Sequence, residues 1–147
     1  MKTITQAIKR TERLLPVTPA PEGKEDQRWQ SVIQIGDYVE NYPNEVCHFA
    51  EQWGTHPSQD LRMAIATCLL EHLLEYHFEQ IFPLVEKASI RSMRFAETFG
   101  YCFEFGQTLE PENQKRVAAL RKTIKRKRAN KSRRTRQKPA APLSFRV

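Results

Sequence analysis

Cysteine is scarce in this chain. Cys47, Cys68 and Cys102 are the three present in 147 residues, too few and too scattered for a disulfide framework, and the expectation is a reducing compartment. Glycine is scarce too, with five residues, none in the spacing of a phosphate-cradling loop. Gly-x-Ser-x-Gly, Cys-x-x-Cys and His-x-x-x-His do not occur. Nucleophile-elbow hydrolases and zinc modules with paired short ligand spacings are therefore not indicated. No apolar run approaches the roughly 18–20 residues of a membrane helix. Met1-Lys2-Thr3-Ile4 lacks the apolar stretch of a secretory leader. The expected localisation is cytoplasmic, or nuclear in a eukaryotic cell, with no membrane partner. No window alternates apolar and polar residues as a half-buried strand does.

Acid is missing from one whole segment. All 17 Asp and Glu lie in residues 1–112, against 10 Lys and Arg, a net of −7. Residues 113–147 hold the other 14 Lys and Arg and no acid, a net of +14. The overall charge of +7 thus averages an acidic body and a basic tail, an asymmetry typical of interaction tails. The plain alternative is a tail that rests on its own acidic body and keeps the chain soluble.

What is present is helical periodicity. Residues 3–15 read as a short helix with Ile4, Ile8, Leu14 and Leu15 as its apolar positions. Pro16, Pro19, Pro21 and Gly23 follow as an extended linker. From Asp26, the residues Trp29, Val32, Ile33, Gly36 and Val39 recur on one helical face, and Pro43 is read as the end of that helix. A shorter helix carries Val46, Cys47, Ala50 and Trp53, with Gly54 as its stop. Ser58 is the expected cap of the next, whose stripe is Leu61, Ala64, Ile65, Cys68, Leu69 and His72. Phe78, Ile81, Phe82 and Val85 follow, with Pro83 read as lying in a first helical turn. A helix from about Ser92 is expected to bury Phe95, Phe99 and Phe103. Tyr101, Phe105 and Gly106 fall off that face, where they cover an end of the stack or offer a partner surface. Pro111 opens a last helix with Val117, Leu120 and Ile124 on a narrow stripe. Beyond about Ala129 the composition reads as a disordered tail. The fold class is all-α, and short turns favour antiparallel neighbours.

Three helix starts align: Asp26-Gln27-Arg28-Trp29-Gln30, Asp60-Leu61-Arg62-Met63-Ala64 and Ser92-Met93-Arg94-Phe95-Ala96. Their arginines are 34 and 32 residues apart. One helix pair cannot bury both faces of its helices, so such pairs stack. The run Asp60-Leu61-Arg62-Met63-Ala64-Ile65-Ala66 resembles the opening of helices in the HEAT-repeat family and its short-repeat relatives. The resemblance covers about residues 26–106, with Gln30 and Ser92 departing from the pattern. It implies a HEAT-like body over 25–110 that binds protein or nucleic acid on an extended surface, with 1–24 as a capping helix and linker and 111–147 as the basic helix and tail. It also brings in a second class, HEAT-like enzymes that excise alkylated bases, for which Trp29, Trp53 and Asp60 are the residues to consider. Fold analogy alone does not carry that function.

The basic segment carries the main functional expectation. Its candidate phosphate-binding residues are Lys115, Arg116, Arg121, Lys122, Lys125, Arg126, Lys127, Arg128, Lys131, Arg133, Arg134 and Arg136. Such side chains neutralise phosphates with release of counterions. Aromatic residues are almost absent among them, so contact with the DNA or RNA backbone is expected rather than stacking on bases or strong sequence reading. Arg28, Arg62 and Arg94 form a secondary candidate stripe; against it stands pairing with Asp26, Asp60 or Glu97 of a neighbouring unit. Cys68 and His72 share a helix face but lack the further ligands of a metal site. Glu71, Glu75 and Glu79 share a face as well, where a solvated acidic surface is the ordinary reading. The expected function is non-enzymatic. The acidic body engages a protein partner and the tail holds nucleic acid. No metal, cofactor, catalytic residue or small-molecule substrate is expected. The alternatives are a pure protein–protein adaptor with a solubilising tail and, further off, the repair glycosylase.

Overall fold

A computed structural model describes residues 3–16 and 24–137, with the backbone alone for Arg136 and Gln137. Among the described residues every regular element is helical. Helix α1 (Ile4–Leu14) opens on Thr3, whose side chain accepts from Gln6 N–H while the Gln6 side chain accepts from Thr3 N–H. This reciprocal box satisfies two donors that a helix start leaves free. α1 lies on α2 (Gln27–Gly36). Buried Thr11 ties the two, its hydroxyl 2.9 Å from Ala7 O and 3.4 Å from Ser31 O.

Pro43 does not end the second helix. α2 stops at Gly36, turns follow, and Pro43 is the first residue of α3 (Pro43–Trp53). A first-turn N–H has no intrahelical acceptor, so a proline loses nothing there. The next helix runs from α4 (Gln59–Ile65) through a π turn (Ala66–Leu70) into α5 (Glu71–Tyr76). Ser58 caps it as expected, accepting from Leu61 N–H. Gly36 lets α2 come close to the π turn, since a Cβ there would stand 3.0 Å from Cys68 O.

Pro83 is likewise not in a first turn. α6 spans Phe78–Arg91 and holds Pro83 in its interior. A proline there forgoes one helical hydrogen bond and costs about 3 kcal/mol in an isolated helix. Phe78, Ile81, Phe82 and Val85 are all buried around it, and the Phe78 and Phe82 rings stack with centroids 4.8 Å apart. Burial of those side chains outweighs the propensity. α7 (Met93–Gly100) starts on Ser92, which accepts from Phe95 N–H. It ends at Gly100, three residues short of the expected face, so Phe95 and Phe99 are buried but Phe103 is 70% exposed. Glu71 Oε2 takes the Phe103 N–H at 3.0 Å and fixes the departing chain.

After a 3-10 turn (Gly106–Leu109), α8 runs from Pro111 to Gln137. The stretch from Ala129 to Gln137, read from composition as disordered, is therefore helical; residues 138–147 lie outside the described residues. Lys, Arg, Ala and Gln are good helix formers, and no Pro or Gly interrupts them here. α2 neighbours α4, α4 neighbours α7, α3 neighbours α6, and α6 neighbours α8. Val117, Leu120 and Ile124 are buried in the same core as Phe49, Leu61 and Phe82. The boundary at residue 111 thus marks a change of charge and not the edge of the core.

Candidate nucleic-acid interface

α8 has 27 residues, about 40 Å of helix at 1.5 Å per residue. Its apolar stripe fixes one side to the body, and that side decides which cations are free. Arg116 turns inward. Its guanidinium carbon is 5.3 Å and 5.0 Å from the Phe78 and Phe82 ring centroids, and Nη1 donates to Glu79 Oε1 at 2.9 Å. Arg121 lies 4.8 Å from the Phe99 centroid and donates to Cys102 O at 3.3 Å. Lys127 donates to Ile90 O, the kind of carbonyl that a helix C-terminus leaves open. Lys115 pairs with Glu112 at 3.2 Å on the exposed surface. Four of the expected phosphate contacts are thus engaged elsewhere, three of them in docking α8.

The rest face water. Lys122, Lys125, Arg126, Arg128, Lys131, Arg133 and Arg134 are exposed and make no hydrogen bond or ion pair among the described residues. Lys115, Lys122, Arg126 and Arg133, at intervals of seven, four and seven residues, fall on the side of the helix opposite Val117 and Ile124. This row is about 27 Å long. The Arg136 side chain lies outside the described residues. Sequence reasoning missed the division between inward and outward cations. The signal was present, because Arg116 stands four residues before Leu120, and Arg121 four after Val117.

The three aligned arginines are brought together but not as an open stripe. Arg28 is buried, donating to Asp26 Oδ2 at 3.0 Å and Asp60 Oδ2 at 3.2 Å. Arg62 is buried and pairs with Glu97 at 3.4 Å. Arg94 is exposed and reaches Thr55 O at 3.4 Å. The pairing with Asp26, Asp60 and Glu97 is what the geometry realises, which takes Arg28 and Arg62 out of solvent. All three act on His56, whose pKa is lowered by partial burial first and then by their positive charge. Its Nδ1 accepts from Ser58 N–H at 3.0 Å. Asp60 Oδ2 also accepts from Trp29 Nε1 at 3.0 Å, so this carboxylate ties α4 to α2.

His72 Nδ1 lies 2.9 Å from Glu75 Oε1. Burial raises the Cys68 thiol pKa and pushes that of Cys47 up to about 12, the opposite of an activated thiolate. Among the described residues no three His, Cys, Asp or Glu gather where they could hold a metal ion, and no helix is long and apolar enough to cross a membrane. The chain matches no family model, no curated protein and no solved structure.

Proposed function

We propose that this chain is a non-enzymatic binding protein. Its acidic helical body engages a protein partner, and α8 lies along the phosphates of DNA or RNA with little sequence preference. The body is read as a short HEAT-like stack. The contacts of α2 with α4, α4 with α7, and α3 with α6 favour that reading; the aligned starts match it at Asp26 and Ser92, which cap α2 and α7, whereas Asp60 lies inside α4, which Ser58 caps. The observation that carries the function is the division of cations on α8. Arg116, Arg121 and Lys127 anchor the helix, which leaves seven exposed and unpaired along an ordered rod. Prior ordering avoids the entropy that a flexible basic arm loses on binding.

Fluorescence anisotropy with labelled duplex DNA and duplex RNA across a salt series tests this. Seven phosphate contacts on B-DNA predict a slope of log K against log salt of about −6. The full chain with Lys122→Gln, Lys125→Gln, Arg126→Gln and Arg133→Gln keeps its fold, and its slope is shallower by about 3.6. No binding at low salt, or an unchanged slope in the variant, overturns the reading. The adaptor alternative draws on the three cations used inside the molecule; it predicts no nucleic-acid binding and a protein partner indifferent to the four substitutions.

A further inference from the structure

A groove of about 580 Å³ runs between α7 and α8. Buried Ala96, Phe99 and Ile124 form its apolar floor, Arg121, Lys125 and Arg128 contribute positive charge, and Glu97, paired with Arg62, contributes one carboxylate. Gly100 borders it, and a Cβ added there would meet nothing within 4 Å. Arg121 also holds Cys102 O, so a wall of the groove fixes the loop that leaves α7. The next residue, Phe103, is the most exposed large apolar side chain of the described residues at 70%. Glu104 follows with no ion pair among the described residues, then Phe105 at 42% exposure. An exposed aromatic patch beside an unfilled groove marks an interaction surface.

The groove suits an aromatic side chain flanked by a carboxylate. Phe103-Glu104-Phe105 has that chemistry, and it begins three residues beyond Gly100. Both halves of a complementary contact thus sit side by side on one chain. A two-fold axis satisfies both at once, as an isologous interface requires. A foreign acidic peptide would fill the groove and leave Phe103 in water. We propose that two copies of this chain dock about a two-fold axis, each placing Phe103 in the other's α7–α8 groove with Glu104 facing Lys125 and Arg128. The contact does not depend on nucleic-acid binding. It brings the two α8 helices near the axis, where salt limits their repulsion.

Sedimentation velocity of the full chain without nucleic acid tests it. The salt is about 0.15 M, where charges are screened over about 8 Å. Protein runs from about 1 to about 300 µM, the range that a small interface calls for. The expected result is a monomer–dimer equilibrium. Phe103→Ser removes the exposed ring, and Gly100→Leu fills the groove. Each weakens the dimer at least about tenfold, the effect of losing an interface anchor, while circular dichroism and Tm show the fold intact. Mixing the two variants pairs an intact groove with an intact Phe103, so one reciprocal contact returns and the mixture dimerises better than either variant alone. A monomer at every concentration, a dimer indifferent to both substitutions, or a mixture no better than its components overturns the proposal.

Discussion

The guanidinium of Arg121 stacks on the ring of Phe99, 4.8 Å from its centroid. Arg126, five residues on, is exposed, and its side chain has no hydrogen bond, ion pair or ring contact among the described residues. Two arginines in one basic run thus have different tasks, and substitution separates them. Arg121→Ala costs about 1–2 kcal/mol of stability, from the lost cation–ring contact and the bond to Cys102 O. Arg126→Ala changes stability by less than about 0.5 kcal/mol but makes the salt slope of duplex binding shallower by about 0.9. Urea unfolding and anisotropy, run on both variants, check the pair. Equal effects on both readouts would remove the distinction.

The body is expected to need the start of the basic helix in order to fold. Val117, Leu120 and Ile124 are 1%, 2% and 8% exposed, and they cover a core that α6 and α7 share. Leu120→Ala is expected to cost about 2–5 kcal/mol. A chain cut after Glu112 loses all three, a large share of the roughly 5–15 kcal/mol that a domain of this size has. It is expected to lose the cooperative thermal transition seen by circular dichroism. A chain cut after Arg128 keeps the three apolar residues together with Arg116, Arg121 and Lys127, and is expected to melt cooperatively. A cooperative transition in the shorter chain would show that the body folds alone.

The helices were legible where apolar spacing and caps agree. Ser58 caps the helix it is expected to cap, α7 starts at Ser92 as its spacing implies, and Val117, Leu120 and Ile124 are buried as their stripe implies. What was not legible depends on contacts distant in sequence. Pro83 sits inside α6 because Phe78 and Phe82 are buried together, a gain that no local rule registers. The π turn at Ala66–Leu70 has no propensity signature. Phe103 keeps the four-residue spacing of Phe95 and Phe99, but Gly100 ends the helix before it. Composition led to disorder after Ala129, whereas Lys and Arg propagate a helix that Val117 to Ile124 already holds in place. The candidate site was legible as a charge, but which cations face outward was set by the rings of Phe78, Phe82 and Phe99.

Gly106 is expected to resist replacement. Its φ is +52°, a region that L side chains rarely adopt. A Cβ there would also stand 2.7 Å from Glu75 Cγ and 2.8 Å from Glu75 O. Gly106→Ala therefore meets both backbone strain and a clash with backbone, with an expected loss of about 1–3 kcal/mol. The turn it shapes positions Gln107, whose side chain accepts from Phe78 N–H at 2.8 Å and donates to Tyr76 O at 2.8 Å. Urea unfolding of the variant checks the cost. A loss below about 0.5 kcal/mol, the level of an ordinary surface change, would refute the account.

Glu71 gives the fold a pH dependence of unusual sign. The side chain is buried, and Oε2 accepts from Phe103 N–H at 3.0 Å. Burial raises its pKa above the ordinary 4.5, and the charge of Glu75 adds to this, against the opposing effects of the Phe103 bond and His72. The folded state therefore holds this proton more tightly than the unfolded state does. The folded form is favoured in full below pH 4.5, and that contribution is lost as pH rises through the raised value. Above the raised value the carboxylate carries the whole penalty. Glu71→Gln keeps an acceptor for Phe103 N–H and removes the buried charge. It is expected to raise Tm at pH 7, with the advantage over the parent shrinking as pH falls through the raised value and levelling off below 4.5. Thermal melts of both proteins from pH 4 to pH 8 decide the point, and a parent that equals or exceeds the variant at pH 7 rules the explanation out.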